Sequence, residues 1–156
     1  MIWSKFAGFA AALIFAGGVG AAAQAPGKIY AQKLVDETLA KHPEVVIMAM
    51  HVTPPGKAEN VIIASNIGRI GKKADEDDLR VIHTGKANLE RNKKGDHFEV
   101  ELPLQDEAGK TIGAVGIVFM YKPKNDAGFQ KRAEEIRDEM RKQVSSVGQL
   151  FEPAKS

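Results

Sequence analysis

The chain of 156 residues is 44 % hydrophobic and 27 % charged, with 22 basic against 20 acidic side chains and a formal charge of +2. That composition excludes a disordered chain, leaves room for one core rather than several large domains, and provides no basic excess for nucleic acid. With no cysteine, disulfides, thiolate metal sites, cysteine nucleophiles and C-x-x-C-H haem attachment are excluded as well.

The amino-terminal segment stands apart. Lys5 lies ahead of a continuously apolar or small run from Phe6 to Phe15, Gly17, Gly18 and Gly20 loosen the stretch after it, and Ala21-Ala22-Ala23 closes it. This is the order of a secretory signal peptide, with Ala21 and Ala23 as the small residues that signal peptidase needs. Residues 1–23 are expected to be cleaved before Gln24, leaving 24–156 as one domain in a bacterial periplasm or exterior. The competing reading is a retained anchor, since Phe6 to Ala25 is nearly long enough to span a bilayer, although its glycines and alanines make it a weak one.

In the remaining domain, Ile29, Ala31, Leu34, Val35, Thr38 and Leu39 recur at helical spacing and predict a helix over Lys28 to Lys41, stopped by His42-Pro43. Val45 to Val52 is rich in β-branched residues and ends at Pro54-Pro55-Gly56, which predicts a buried strand, and Asn60 to Ser65 predicts a second, antiparallel to it. A glycine-punctuated loop, Asn66 to Lys73, leads to a short helix in which Asp75 is the N-cap, Glu76, Asp77 and Asp78 complement the helix dipole, and Thr84-Gly85 ends the run. Asn88 to Asp96 is polar and predicts a connection. Phe98, Val100, Leu102 and Leu104 then alternate with His97, Glu99, Glu101 and Pro103, the pattern of a strand with one face buried. A turn at Gln105 to Lys110 returns the chain as a long apolar strand, Thr111 to Tyr121, in which Gly113 and Gly116 point to close approach of a backbone, a helix or a ligand. Phe129, Ala133, Ile136, Met140, Val144, Val147 and Phe151 mark one stripe of a closing helix from Asn125 to Leu150. The order predicts an α+β domain, a small antiparallel sheet with its helices on one side.

The run Ile63-Ala64-Ser65-Asn66-Ile67-Gly68-Arg69-Ile70-Gly71-Lys72, then Asp78-Leu79 and His83-Thr84-Gly85-Lys86, then Leu102 to Gly116, resembles the single Cache domains, the extracytoplasmic PAS-like sensor modules of bacteria. The resemblance covers Val45 to Tyr121 with a helix on each flank. It implies a PAS/Cache-like antiparallel sheet with an N-terminal helix, a crossover helix and a long C-terminal helix. It also implies a ligand pocket between the sheet and the crossover segment Asn66 to Ala87.

Within that frame Arg69 is suited to clamp a carboxylate or phosphate in two-point geometry, or else to lie solvated in its loop. Ser65 and Asn66 can donate to the same ligand, or serve a local Asx-type turn. His51, among apolar neighbours in the first strand, and His83, near the end of the crossover helix, are candidate ligand-lining residues. As a pair they can reach a metal or haem iron only if the fold supplies further ligands that their spacing does not. Glu76, Asp77 and Asp78 lack calcium-loop spacing and read as helix capping. No nucleophile, nucleotide or zinc-protease motif is present, so binding is expected rather than catalysis.

The expected function is an exported Cache-like sensor that binds a small polar ligand, a carboxylate being the first candidate, and signals through a membrane-bound partner. No cofactor is required. The alternatives are a periplasmic b-type haem or metal-binding sensor using His51 or His83, and a ligand-free adaptor whose long helix pairs with a partner or with a second copy in a homodimer.

Overall fold

Five strands form one antiparallel sheet in the computed structural model, which describes residues 27–121, 123–124 and 126–155. The segment expected to be a signal peptide or anchor lies outside the described residues. The strands are β1 (Val45–Val52), β2 (Val61–Ser65), β3 (Asn88–Arg91), β4 (His97–Gln105) and β5 (Thr111–Met120), in the spatial order β2-β1-β5-β4-β3. Three helices accompany them, α1 (Tyr30–Lys41), α2 (Glu76–Thr84) and α3 (Asp126–Arg141), and a 3-10 turn spans Gly148–Phe151. Among the described residues no helix is long and apolar enough to cross a membrane.

Alternation along the central strands decides what each face of the sheet can hold. Met48, Met50 and Val52 of β1, Phe98, Val100, Leu102 and Leu104 of β4, and Val115, Ile117 and Phe119 of β5 all enter one hydrophobic core. Leu34 and Val35 of α1 and Phe129, Ala133, Ile136 and Met140 of α3 cover that face. Phe129 stacks on Phe98 and Phe119, with ring centroids 5.4 and 5.1 Å apart, which fixes the start of α3 over the middle of the sheet. A buried imidazole joins the two helices: Arg132 donates to His42 Nδ1 at 3.0 Å, so His42 Nε2 carries the proton donated to Glu139 at 3.0 Å.

Helices on a single side are not what the fold builds. The helix α2 packs on β4 and β5 across the face opposite α1 and α3, and the crossover therefore roofs residues that the core excludes. Its ends form as the sequence predicts. The Asp75 carboxylate accepts from the N–H groups of Asp77 and Asp78 at 3.0 and 3.2 Å, Asp78 accepts from the Asp75 N–H at 2.7 Å, and Gly85 closes the helix in the left-handed region.

Two further expectations are corrected. Residues Asn88–Arg91 are a strand and not a connection, because their backbone pairs with Phe98 to Glu101 across a turn that the Asn92 side chain closes by accepting from the N–H groups of Asp96 and His97. Hydrogen bonding, without an apolar pattern, suffices for that edge. The closing helix ends at Arg141, and although the apolar stripe continues into buried Val144 and Leu150, Ser145 bonds to Gln149 and redirects the chain into the 3-10 turn.

The two ends of the described domain lie side by side next to α1. Tyr30 N–H donates to the Glu152 carbonyl and Ala154 N–H to the Lys28 carbonyl, both at 2.8 Å, around a bridge between Ile29 and Pro153.

Both glycines of β5 are close-approach positions, but of different kinds. A Cβ at Gly113 would lie 2.2 Å from the His51 carbonyl oxygen, a backbone atom that cannot step aside, whereas one at Gly116 would meet only the end of the Glu99 side chain, at 2.7 Å. Gly113→Ala is expected to destabilise the domain by about 3 kcal/mol and Gly116→Ala by no more than about 1 kcal/mol in denaturant titration, and equal costs would contradict this packing. Asp75→Ala, which removes the α2 cap, is expected to cost about 1 kcal/mol in the same titration.

Candidate functional site

At its centre the sheet face under α2 carries small and polar groups, flanked by Ile47, Ile62 and Val118, where the other face carries bulk throughout. On β5 it presents Ala114 and Gly116, and these pair with His51 and Ala49 of β1 on one side and with Pro103 and Glu101 of β4 on the other. With so little bulk between them, His51 and Glu101 reach toward each other over β5. Asp78, on the first turn of α2, meets them from above. One ligand atom from each of the three residues lies within 4.8 Å of the other two.

These groups wall a pocket of about 210 Å³ between the sheet and the crossover, lined also by Ile47, Arg69, Lys72, Glu90 and Glu99. At about 30 Å³ per water it has room for about seven, smaller than the pockets of drug-sized ligands. A larger depression of about 460 Å³ lies elsewhere, beside Val46, Phe119 and Phe129. Its charged residues Glu44 and Arg132 are spent on each other at 2.8 Å, so it offers a ligand little polar chemistry.

The polar cluster is tightly buried and incompletely paired. Glu101 is 5 % exposed and His51 and Asp78 are 8 % exposed. His51 Nδ1 stands 3.2 Å from Asp78 Oδ2, yet it and Glu101 Oε1 have no partner in hydrogen-bonding geometry among the described residues. Burial pushes the Glu101 carboxyl up, and the neighbouring carboxyls of Asp78, Glu99 and Asp75 act the same way. For Asp78 burial also acts upward, but the nearby His51 imidazole and Glu101 carboxyl and the hydrogen bond from the Asp75 backbone outweigh it and hold the carboxyl well below the usual range. Burial, reinforced by Glu90 and Asp78, raises Glu99 beside them.

Of the residues singled out in the sequence, the structure brings His51 and Arg69 to the pocket. Arg69 is held in the left-handed region, φ 63°, between Gly68 and Gly71, in a loop that folds back on β2 through Gly71 N–H to the Ile62 carbonyl at 2.8 Å. Ser65 and Asn66 take the local roles. Ser65 Oγ accepts from the Ile67 N–H, and Asn66 spans to β1 by accepting from the Met48 N–H and donating to the Val46 carbonyl, each at 3.0 Å. His83 is exposed on α2 and does not line the pocket, so the pairing of His51 with His83 as ligands is corrected. Haem does not fit either, since the cleft is smaller than a drug-sized site and walled by carboxylates.

The expected carboxylate ligand also meets an unfavourable lining. Asp75, Asp77, Asp78, Glu90, Glu99 and Glu101 face the cleft against Arg69 and Lys72, so acid predominates. Sequence reasoning missed Asp78 and Glu101, the first because capping already explains it and the second because it looks like the wet face of β4. The signal that could have found them is the phase shared by His51 and Glu101 about a neighbouring strand whose residues on that side are Ala114 and Gly116.

No protein-family model matches the chain, and no curated protein does. Solved structures match in shape. A GAF domain of nlh2 from A. aeolicus, solved in an inactive state, aligns with a TM-score of 0.56 at 14 % identity over 74 % of this chain and 86 % of that one. The repressor BlcR of Agobacterium tumefaciens aligns with a TM-score of 0.53 at 10 % identity, over 73 % of this chain and 66 % of that one, just under two thirds of its length. At such identities the likeness is one of fold. The chain has the α+β architecture of a GAF/PAS-like domain, a five-stranded antiparallel sheet accompanied by three helices.

Proposed function

We propose that this chain is an exported sensor domain that binds a small, positively charged polar ligand between the sheet and α2 and presents the bound state to a membrane-bound partner. The observation that carries the reading is the acid-lined pocket itself, with Glu101 Oε1 buried and unpartnered at its wall. A buried polar atom without a partner costs free energy that an incoming donor or cation recovers. The export order of residues 1–23 supports a location outside the cytoplasm, and the missing catalytic motifs support binding rather than turnover.

A ligand in this cleft also has a route to the surface. Only Asp78 and Val81 of α2 are buried, so little apolar area holds the helix to the sheet, and Asp78 both caps α2 and faces the pocket. A ligand that engages Asp78 therefore acts on the docking of α2, and it shifts the domain between states to the extent that it prefers one docking over another.

Thermal-shift measurements on the chain with small amines, amino acids, simple carboxylates and inorganic cations test this reading. At a hundredfold excess over its dissociation constant a bound ligand contributes about 2.7 kcal/mol, a rise of about 10 °C in Tm for a domain of this size. Positively charged compounds are expected to give such a shift and simple carboxylates none, and Glu99→Gln is expected to reduce it. A screen in which no compound shifts Tm overturns the sensor reading, and stabilisation by simple carboxylates alone overturns the preference for positive charge.

A further inference from the structure

Resting on the sensor reading, we infer that His51, Asp78 and Glu101 form a site for a divalent first-row metal ion, and that the ion is the ligand sensed. The three residues come from β1, α2 and β4 and share no local sequence spacing, so the site exists only once the sheet has formed and the crossover has closed over it.

Geometry argues first. Two ligands about 2.0–2.1 Å from a tetrahedral ion stand about 3.3–3.4 Å apart. His51 Nδ1 and Asp78 Oδ2 already stand at 3.2 Å, and one ligand atom from each of His51, Asp78 and Glu101 lies within 4.8 Å of the other two. A modest change in the Glu101 side chain closes the set. The approach of His51 to Asp78 is at ligand spacing without being a well-formed hydrogen bond.

Unsatisfied donors argue second. Glu101 is 95 % buried by its 5 % exposure, and its Oε1 has no partner; His51 Nδ1 is likewise buried and without one. Groups so placed are normally hydrogen-bonded, and an ion that accepts a lone pair from each satisfies both together. Among the described residues neither Arg69 nor Lys72, the cationic residues lining the cleft, forms an ion pair with Asp78 or Glu101. The negative charge of the cluster is thus left for something that enters.

Donor chemistry selects the class of ion. One imidazole nitrogen and two carboxylate oxygens, with no sulfur, suit zinc, manganese or ferrous iron, while the all-oxygen shell typical of calcium and magnesium is not what the fold assembles. Three protein ligands leave coordination positions open toward the pocket for water or a small anion. Asp78 is a ligand and the N3 residue of α2 at once, so occupancy of the site bears directly on the helix end.

The test uses the chain stripped with a chelator and titrated with Zn2+, and separately Mn2+, in competition with a chromophoric chelator. One ion per chain is expected. His51→Ala and Glu101→Gln are each expected to weaken binding at least tenfold, while His83→Ala, outside the pocket, leaves it unchanged. X-ray absorption at the zinc edge is expected to report nitrogen and oxygen ligands including a single imidazole. Because Glu101→Gln is isosteric and the absorption spectrum reads the unaltered chain, a folding failure of His51→Ala would not shelter the inference. Absence of stoichiometric binding, equal losses in His83→Ala and His51→Ala, or a spectrum without an imidazole overturns it. If the metal-stripped chain is stabilised by organic cations but not by either ion, the metal inference falls and the sensor reading stands; if neither class binds, both fall.

Discussion

The middle of β5 carries bulk on one face and Ala114 and Gly116 on the other, and the two sides of the domain derive from that asymmetry. Val115, Ile117 and Phe119 reach into the apolar core, where α1 and α3 close over them. On the opposite side Ala114 and Gly116 leave a shallow trough along the middle of the sheet. Neighbouring strands can lean polar side chains into the trough because nothing on β5 fills it. Exchanging the two faces of this strand would slip every side chain to the wrong side and abolish core and cleft together.

The trough also explains how three ionisable groups tolerate burial. Isolated, a buried carboxylate would be expelled or neutralised. Here Asp78 accepts from the Asp75 N–H with the His51 imidazole 3.2 Å away, which holds its carboxyl low, while burial beside Asp78 and Glu99 holds the Glu101 carboxyl high. The capping hydrogen bonds of α2 are therefore part of the electrostatics of the cleft, and helix and site cannot be altered independently. The amino-terminal half of α2 is anchored by charge and hydrogen bonds where most of the domain is anchored by apolar packing.

Much of the fold was legible in the chain because its signals are periodic. The alternation of Phe98 to Leu104, the stripe of Phe129, Ala133, Ile136 and Met140, and the Asp75 to Gly85 capping pattern each predict the element that forms. What escaped depends on distant partners. Asn88–Arg91 becomes a strand only because β4 is beside it, and Glu101 becomes a buried acid only because α2 crosses above it. Ser65 and Asn66 have side chains that suit a ligand or the local backbone equally well; Ser65 closes its own turn at Ile67, and the use of Asn66 comes from the nearness of β1, which composition does not encode. His51 and Arg69 stand out because an imidazole in an apolar strand and an arginine between two glycines are unusual by themselves.

The paired ends beside α1 give the domain a plug-in character. Lys28 and Ala154 are joined by a backbone hydrogen bond, so a host chain could break at one surface loop, receive the whole unit and resume almost where it stopped. The cleft under α2 would then face away from the splice, with the full thickness of the sheet and core between them. A graft of this kind would leave the crossover unencumbered.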